Sequence, residues 1–175
     1  MPTDLVLVHR AGQRHLDGLP DGAVEAAAAL AEAKGRPGQW LFNLQFPSFG
    51  PFMTYAKNRA LREKMWRAFA SRCVSGEFDN RPLTIRIAKL RHDRAVLLGF
   101  KSHAEYVLKE RMAKNPDTVL NFIKRVAEVS KPKAEEEINQ IKEFAQKHGY
   151  ATPIKPWDLA FLSEKFKKEK LNFDE

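Results

Sequence analysis

The fold class is decided by residues 80–123, which read NRPLTIRIAKLRHDRAVLLGFKSHAEYVLKERMAKNPDTVLNFI. Signals that start a helix follow one another in this stretch. Asn80 is a favourable capping residue, and a proline follows it in the first turn, where a missing N–H is tolerated. Ser102 and Glu105 have the spacing of a capping box, and the helix that they start is predicted to run to about Ala113. The stretch therefore predicts successive helices.

Apolar residues in the same stretch recur at helical spacing. The first helix has an apolar face formed by Leu83, Ile87, Leu90 and Leu97. Gly99 follows it and is placed to end it in the left-handed conformation. Asn115 caps a further helix. The apolar face of that helix is formed by Val119, Phe122, Ile123, Val126 and Val129. Such stripes are typical of amphipathic helices that pack on other apolar structure.

The C-terminal third continues the helical pattern. The helix that Asn115 starts is predicted to reach His148, where Gly149 stops it. Pro132 lies inside this pattern. Because proline removes a backbone donor and clashes with the preceding turn, we expect a kink or a restart there. A final helix is predicted from Trp157 towards Lys170.

The N-terminal quarter predicts one helix and one or two short strands. Residues 1–22 are weakly patterned, although residues 5–8 are apolar enough for a short strand. A first helix is predicted over residues 23–34, before a glycine that stops it. Residues 40–46, WLFNLQF, alternate in polarity and predict a half-buried strand. One strand needs a partner, which is either residues 5–8 or a segment outside this chain.

A longer helix is predicted from Thr54 to about Cys73. Its apolar stripe is formed by Leu61, Met65, Phe69 and Cys73, which follow one another every four residues. On this stripe, Cys73 is interpreted as a small buried hydrophobic residue rather than a nucleophile.

The composition indicates a globular chain. Of its 175 residues, 43% are hydrophobic and 30% are charged, which suits a core behind solvated helix faces. No apolar run reaches the length of about 18 residues that a membrane span needs, and no signal-peptide pattern is found at the start. Cys73 is the single cysteine, so no internal disulfide is possible. We expect a cytoplasmic protein with no membrane partner.

The formal net charge of +8 leaves one binding class open. Such a charge is compatible with an anionic partner. However, the basic residues are spread along the chain and mixed with Glu, and no nucleic-acid motif accompanies them. We therefore expect no nucleic acid as partner. A stand-alone basic helical module for an anionic partner stays as the alternative function.

The histidines lack the spacing of a helical zinc site. They are His9, His15, His92, His103 and His148. Such a site needs two His four residues apart, with a Glu between them. Val96, Val107 and Phe144 occupy positions where a second His would stand. No metal ligand is predicted in this chain.

Other catalytic patterns are also missing from the sequence. It contains no G-x-S-x-G elbow, no phosphate-binding P-loop and no G-x-G-x-x-G turn. The adjacent Glu residues 135–137 point in different directions on a helix, which favours a solvated face. Trp40, Trp66 and Trp157 are interpreted as core aromatics rather than a ligand groove. No catalytic and no cofactor-binding residue is assigned.

Three stretches together carry a resemblance to a known family. They are FPSFGPFMTYAKNRALREKMWRAFASR (46–72), FDNRPLTIRIAKLRHDRAVLLGFKSHAEYVLKERMAKNPDTVLNFI (78–123) and PWDLAFLSEKFKKEKL (156–171). In this order they resemble the zinc oligopeptidase family of thimet oligopeptidase, oligopeptidase A and peptidyl-dipeptidase, and most closely its bacterial peptidyl-dipeptidase branch. The similarity covers nearly everything from about residue 15 onward.

The resemblance implies a mainly helical metallopeptidase with a deep channel for short peptides, of which this chain is a partial segment. In that family an H-E-x-x-H helix and a later Glu hold zinc, and the first Glu activates water. None of these groups, nor the family's later Tyr and His near the substrate, has a counterpart here. The resemblance therefore implies zinc in the parent enzyme and none in this chain.

Residues 23–175 are accordingly interpreted as helical scaffold, after a poorly patterned lead over residues 1–22. Within the strongest motif, Tyr55, Arg59 and Arg62 are expected to stabilise neighbouring helices rather than face the channel. We expect a non-catalytic segment whose partner is the missing catalytic region of the same protein. Without that partner, a large apolar face should be exposed, with marginal stability or self-association as the consequence.

Overall fold

A computed structural model describes residues 6–8 and 15–171 of the chain. Its elements, in chain order, are β1 (Val6–Val8), α1 (Asp21–Ala33), β2 (Trp40–Phe42), α2 (Phe46–Tyr55), α3 (Arg59–Ala70), a 3-10 turn (Gly76–Phe78), α4 (Arg81–Leu97), α5 (His103–Leu108), α6 (Pro116–Lys147) and α7 (Pro156–Leu171). The described chain is mainly helical, as the sequence predicted. None of these helices combines the length and the apolarity that crossing a membrane requires.

The two strands form a small antiparallel sheet. Leu7 of β1 lies opposite Leu41 of β2. Of the two partners left open by the sequence, the structure therefore selects the segment predicted at residues 5–8, of which residue 5 lies outside the described residues.

β2 is shorter than the strand predicted over residues 40–46, because Asn43 turns the chain. Its side-chain oxygen accepts a hydrogen bond from the N–H of Gln45 at 3.0 Å, and its own N–H donates to Ser48 Oγ at 3.1 Å. Phe46 consequently begins α2 instead of ending a strand, with a proline in the first turn of the helix.

The single helix predicted over residues 54–73 is two helices. The backbone leaves the helical region at Ala56, where ψ is 121°. Asn58 then caps α3, since its side-chain oxygen accepts from the N–H of Leu61 at 3.1 Å. The helical spacing of apolar residues concealed this break.

The interpretation of Cys73 as a buried residue is wrong. α3 ends at Ala70, and Cys73 lies beyond it with an exposed side chain and a φ of 58°. The stripe is otherwise confirmed, because Met65 is fully buried and Leu61 and Phe69 pack against the same core. The stripe ends with the helix, one turn before the cysteine.

The chain divides into two compact units. Unit 1 consists of Met1–Arg72 with Gln140–Glu175, and unit 2 is Cys73–Asn139. The main core of unit 1 includes Phe42, Phe52, Met65 and Trp157. Trp40 and Trp66 pack against this core, so the tryptophans are core aromatics as predicted. A second cluster joins the end of α6 to α7 and contains Ile141, Ala145, Phe161 and Leu162.

Two of the helix starts predicted in unit 2 are confirmed in detail. Ser102 Oγ accepts from the N–H of Glu105 at 3.2 Å, which starts α5, while the Glu105 side chain accepts from the N–H of Lys101 at 2.9 Å, one residue before the cap. The side-chain oxygen of Asn115 accepts from the N–H of Thr118 at 2.9 Å, which starts α6. Local capping chemistry is therefore readable from the sequence here.

Two other details of unit 2 differ from the prediction. Asn80 makes no side-chain capping bond, because Asp79 Oδ1 accepts from the first N–H of α4 instead, at 3.0 Å. α5 ends at Leu108 rather than near Ala113, since the chain turns and passes through a left-handed Lys114 before the next cap.

α6 is one helix through Pro132, so of the two alternatives predicted there the restart is wrong, and the kink stays a prediction. A proline removes one hydrogen bond, but the turns on both sides keep theirs, and the helix survives the loss. The predicted glycine stops are confirmed, because Gly99 and Gly149 have φ values of 82° and 67°.

Candidate functional site

Unit 1 contains a cluster of charged side chains formed by the buried Asp158 and Arg62 together with Arg59, whose side chain is 39% exposed. Arg59 donates hydrogen bonds to both carboxylate oxygens: Nε lies 2.9 Å from Oδ1 and Nη2 lies 2.7 Å from Oδ2. Nη2 of Arg62 lies 3.1 Å from Oδ1. Asp158 is only 2% exposed and Arg62 only 3%. Burial of charges at this level requires that each one is paired and hydrogen-bonded.

Arg62 also donates to three backbone carbonyls, two of them in the break between α2 and α3 and one at the start of α7. Its Nη1 donates to the carbonyl of Ala56 at 2.7 Å and to that of Lys57 at 3.2 Å. Its Nε donates to the carbonyl of Trp157 at 3.1 Å. The guanidinium also lies 4.1 Å from the centre of the Phe161 ring. One side chain thus ties the break between α2 and α3 to the start of α7.

The position of Asp158 follows from the local sequence KPWD at residues 155–158. Asp158 is the third residue of α7, and its Oδ2 accepts from the N–H of Lys155 at 3.0 Å. The N-terminal end of a helix favours a negative charge, since the free N–H groups carry partial positive charge. The helix start therefore places the carboxylate where α3 presents its two arginines.

The environment shifts the titration of all three groups. Burial raises the pKa of the Asp158 carboxyl. Hydrogen bonds from Arg59, the Lys155 N–H and Arg62 together lower this pKa by more than burial raises it, so the pKa lies below its usual range. Burial lowers the pKa of Arg62. The hydrogen bond to Asp158 raises the pKa of Arg59. The carboxylate is thus held ionised and fully hydrogen-bonded, which suits a structural ion cluster better than a general acid or base.

The predicted role of the arginines is confirmed, and their acidic partner is the residue that the sequence reasoning missed. Arg59 and Arg62 link neighbouring elements, as expected, while Tyr55, the last residue of α2, is half-buried. The sequence pattern places Asp158 only in the first turn of the final helix, which is predicted from Trp157. An acid in the first turn of a helix was the available signal, but the sequence does not pair it with arginines 99 and 96 residues away.

The described histidines belong to no group that could hold a metal ion. His15, His92 and His148 are exposed, His103 is half-buried, and His9 lies outside the described residues. Over residues 15–171, no three His, Cys, Asp or Glu side chains come together in a way that would hold a metal ion. The residues that the structure describes therefore do not fit a zinc ion.

Unit 2 carries the exposed apolar surface that the sequence predicted. The side chains of the α4 stripe are between 48% and 86% exposed, with Leu97 the most exposed. Much of the stripe of α6 is similarly exposed, with Val129 at 75%. Apolar surface of this extent commonly marks an interaction site.

Comparison with known proteins places the chain in a family. The model of Peptidase family M3 matches residues 52–175. The chain is 42% identical over 161 residues to oligopeptidase A of Haemophilus influenzae, 34% identical over 171 residues to a probable cytosolic oligopeptidase A of Arabidopsis thaliana, and 30% identical over 161 residues to a dipeptidyl carboxypeptidase of Escherichia coli.

These alignments cover 89%, 93% and 91% of this chain but 24% of each relative, so the chain spans about a quarter of their length. The expected closeness to peptidyl-dipeptidases is met in part. A dipeptidyl carboxypeptidase is among the relatives, but its identity to this chain is lower than that of the two oligopeptidases A. The matched residues contain both the ion cluster of unit 1 and the exposed helices of unit 2. The chain belongs to peptidase family M3.

Proposed function

We propose that this chain is a non-catalytic helical scaffold of a zinc-dependent cytoplasmic peptidase that hydrolyses short peptides. One observation carries the proposal: the family match covers residues 52–175, while the described residues bring no metal-binding group together. The polar cluster that unit 1 does contain is saturated by its own hydrogen bonds. The scaffold extends over residues 23–175, and its partner is the catalytic region of the same protein.

Zinc and substrate belong to that catalytic region in this proposal. The role of the present chain is to hold helices in place, through the Arg59–Asp158–Arg62 cluster in unit 1 and through packing surfaces in unit 2. No step of peptide hydrolysis is assigned to any of its residues.

The test is to measure zinc content and peptide hydrolysis together on the purified chain at neutral pH. Full-length Haemophilus influenzae oligopeptidase A serves as the positive control. We expect no bound zinc and no cleavage above background. Stoichiometric zinc with zinc-dependent cleavage would overturn the proposal, and His92→Ala, His103→Ala and His148→Ala variants would then locate the ligands.

The net charge of +8 supports a second candidate, a stand-alone basic module that binds an anionic partner. Such binding releases counterions and weakens steeply as salt rises. Heparin is a suitable polyanionic probe, titrated at low salt and again at physiological salt. Binding at low salt that falls steeply with added salt would support this candidate, and absence of binding at low salt would remove it.

A further inference from the structure

α6 carries one apolar stripe, which is buried near the C-terminal end of the helix and exposed to solvent along much of the remaining length. At the covered end, Ile141 and Ala145 are buried in a cluster with Phe161 and Leu162 of α7. Towards the N-terminus the stripe continues with exposed side chains of the same type, namely Phe122, Ile123, Val126 and Val129. The covered end indicates the kind of surface that fits the stripe, which is the apolar face of another helix.

α4 is more unusual, because it exposes apolar side chains on two opposite sides. The first side is formed by Leu83, Ile87, Leu90 and Leu97. Ile85 and Val96 lie roughly half a turn around the helix axis from this side, and they are 71% and 54% exposed. A helix that is apolar on opposite sides is normally buried on both. Burial of both sides of α4 therefore requires two separate packing surfaces, and one neighbouring helix cannot provide both.

The charges of α4 indicate which partner fits. Its basic residues are Arg81, Arg86, Lys89, Arg91 and Arg94, of which Arg81 pairs with Asp79 and Lys89 with Asp93, so that basic residues remain in excess. Asp93 is its one acidic residue. A second copy of this chain packed helix to helix would bring the same basic border against it, and like charges across a contact disfavour that pairing. Apolar surfaces with acidic borders complement α4 better.

Building on the proposed function, we propose that α4 is clamped between two separate apolar, acid-bordered surfaces of the part of an M3 peptidase that this chain does not match. The relatives contain such a part, because the alignments cover only 24% of their length. That remainder is large enough to supply two surfaces. The bare stripe of α6 is covered by the same region.

The test compares the reactivity of engineered cysteines in two settings. Cys73→Ser removes the exposed native thiol. Ile85→Cys and Leu90→Cys then probe the two sides of α4, and Glu25→Cys on the exposed face of α1 is the matched control. Each variant is labelled with a maleimide in the isolated chain. It is labelled again in a chimera in which this chain replaces the matched segment of Haemophilus influenzae oligopeptidase A.

We expect labelling at both Ile85→Cys and Leu90→Cys to slow at least about tenfold in the chimera, while Glu25→Cys reacts at nearly the same rate in both settings. Protection of one side alone would overturn the clamp, because α4 would then have a single cover. Equal reactivity of both sides in the two settings would overturn it as well. Protection in the isolated chain that grows with protein concentration would identify a second copy as the occupant and overturn the proposal.

A second measurement tests the clamp even if the chimera does not fold. Hydroxyl-radical footprinting of intact Haemophilus influenzae oligopeptidase A should find the side chains aligned with Ile85 and Leu90 both protected, and oxidation at either overturns the clamp. Failure of the proposed function is distinguishable from failure of the clamp. Zinc uptake or peptide cleavage by the isolated chain contradicts the proposed function, and neither result changes the labelling rates that test the clamp.

Discussion

Unit 1 and unit 2 are both built from helices with readable caps, but they differ sharply in burial. In unit 1, Phe52 and Met65 are completely buried in a core shared by several helices. In unit 2, Ala95 is the one buried residue of the part that the structure describes, although α4 and α6 are rich in Leu, Ile, Val and Phe. The difference teaches that local sequence sets where helices form, whereas burial depends on which surfaces are present to cover them.

The largest test of this contrast is whether the two units unfold together. All three tryptophans, Trp40, Trp66 and Trp157, belong to unit 1, so their fluorescence reports on that unit alone. Far-UV circular dichroism reports on the helices of both units. Because most helix stability comes from tertiary packing, we expect the dichroism to lose a large part of its signal at lower urea than the fluorescence does. Coincident transitions would contradict the contrast, since they indicate one cooperative unit.

The next test removes the charge at the centre of unit 1. Asp158→Asn leaves the buried Arg62 without its counter-ion, and we expect the free energy of unfolding of unit 1 to fall by about 3–5 kcal/mol. Urea titration followed by tryptophan fluorescence measures it. The matched control is Glu63→Gln in unit 1, whose solvent-accessible pair with Arg67 should contribute no more than about 1 kcal/mol. A loss below about 1 kcal/mol at Asp158 would show that the cluster is not structural.

The same cluster gives unit 1 a defined acid sensitivity. The pKa of Asp158 in the folded protein lies below its value in the unfolded chain, which is about 3.9. The stability that the ionised carboxylate contributes is therefore fully present above that unfolded value and is lost as the pH falls through the lower folded pKa. In Asp158→Asn, the free energy of unfolding of unit 1 should therefore depend less on pH in this acidic range.

The sequence predicted what is local in both units and missed what depends on distant partners. The caps at Ser102 and Asn115 were readable because donor and acceptor lie three residues apart. The pairing of Arg59 with Asp158 was not, because it spans 99 residues. Cys73 was misplaced because a stripe was extended past the end of its helix.

The candidate site shows the same limit. The two arginines were recognised as stabilising side chains from their helix position, whereas the carboxylate that gives them this role was not. The apolar faces of unit 2 were identified correctly as stripes, but a stripe pattern gives no information about what covers it. The resemblance to a longer family supplied the expectation that these faces would be exposed.

A smaller effect is expected at a close backbone contact in unit 1. Gly18 has a φ of 90°, and a Cβ there would collide with the carbonyl oxygen of Tyr55. Gly35 has a φ of 70° but open space around it. Gly35→Ala should therefore cost about 1 kcal/mol for the left-handed backbone alone, and Gly18→Ala about 1–3 kcal/mol more, because the backbone must also shift. Equal losses in urea titrations would show that the contact with Tyr55 is easily relieved.

The smallest effect belongs to a surface pair of unit 2. Asp79 accepts hydrogen bonds from the Arg81 side chain and from the Arg81 N–H, and these lower the pKa of Asp79 from 3.8 to about 2. Arg81→Ala removes the side-chain bond, so NMR titration should find the pKa of Asp79 raised towards its ordinary value. Added salt should raise it in the wild type as well, because an exposed pair is screened.

The sign of this shift fixes its consequence for stability. A carboxyl with a lowered folded pKa stabilises the start of α4 above the ordinary pKa, and that contribution is lost as the pH falls towards about 2. The tryptophan-detected stability of unit 1 should not respond to Arg81→Ala, because Asp79 and Arg81 both lie in unit 2. A response of unit 1 to this exposed pair would mean that the two units are energetically coupled, which would also remove the expected gap between the dichroism and fluorescence transitions.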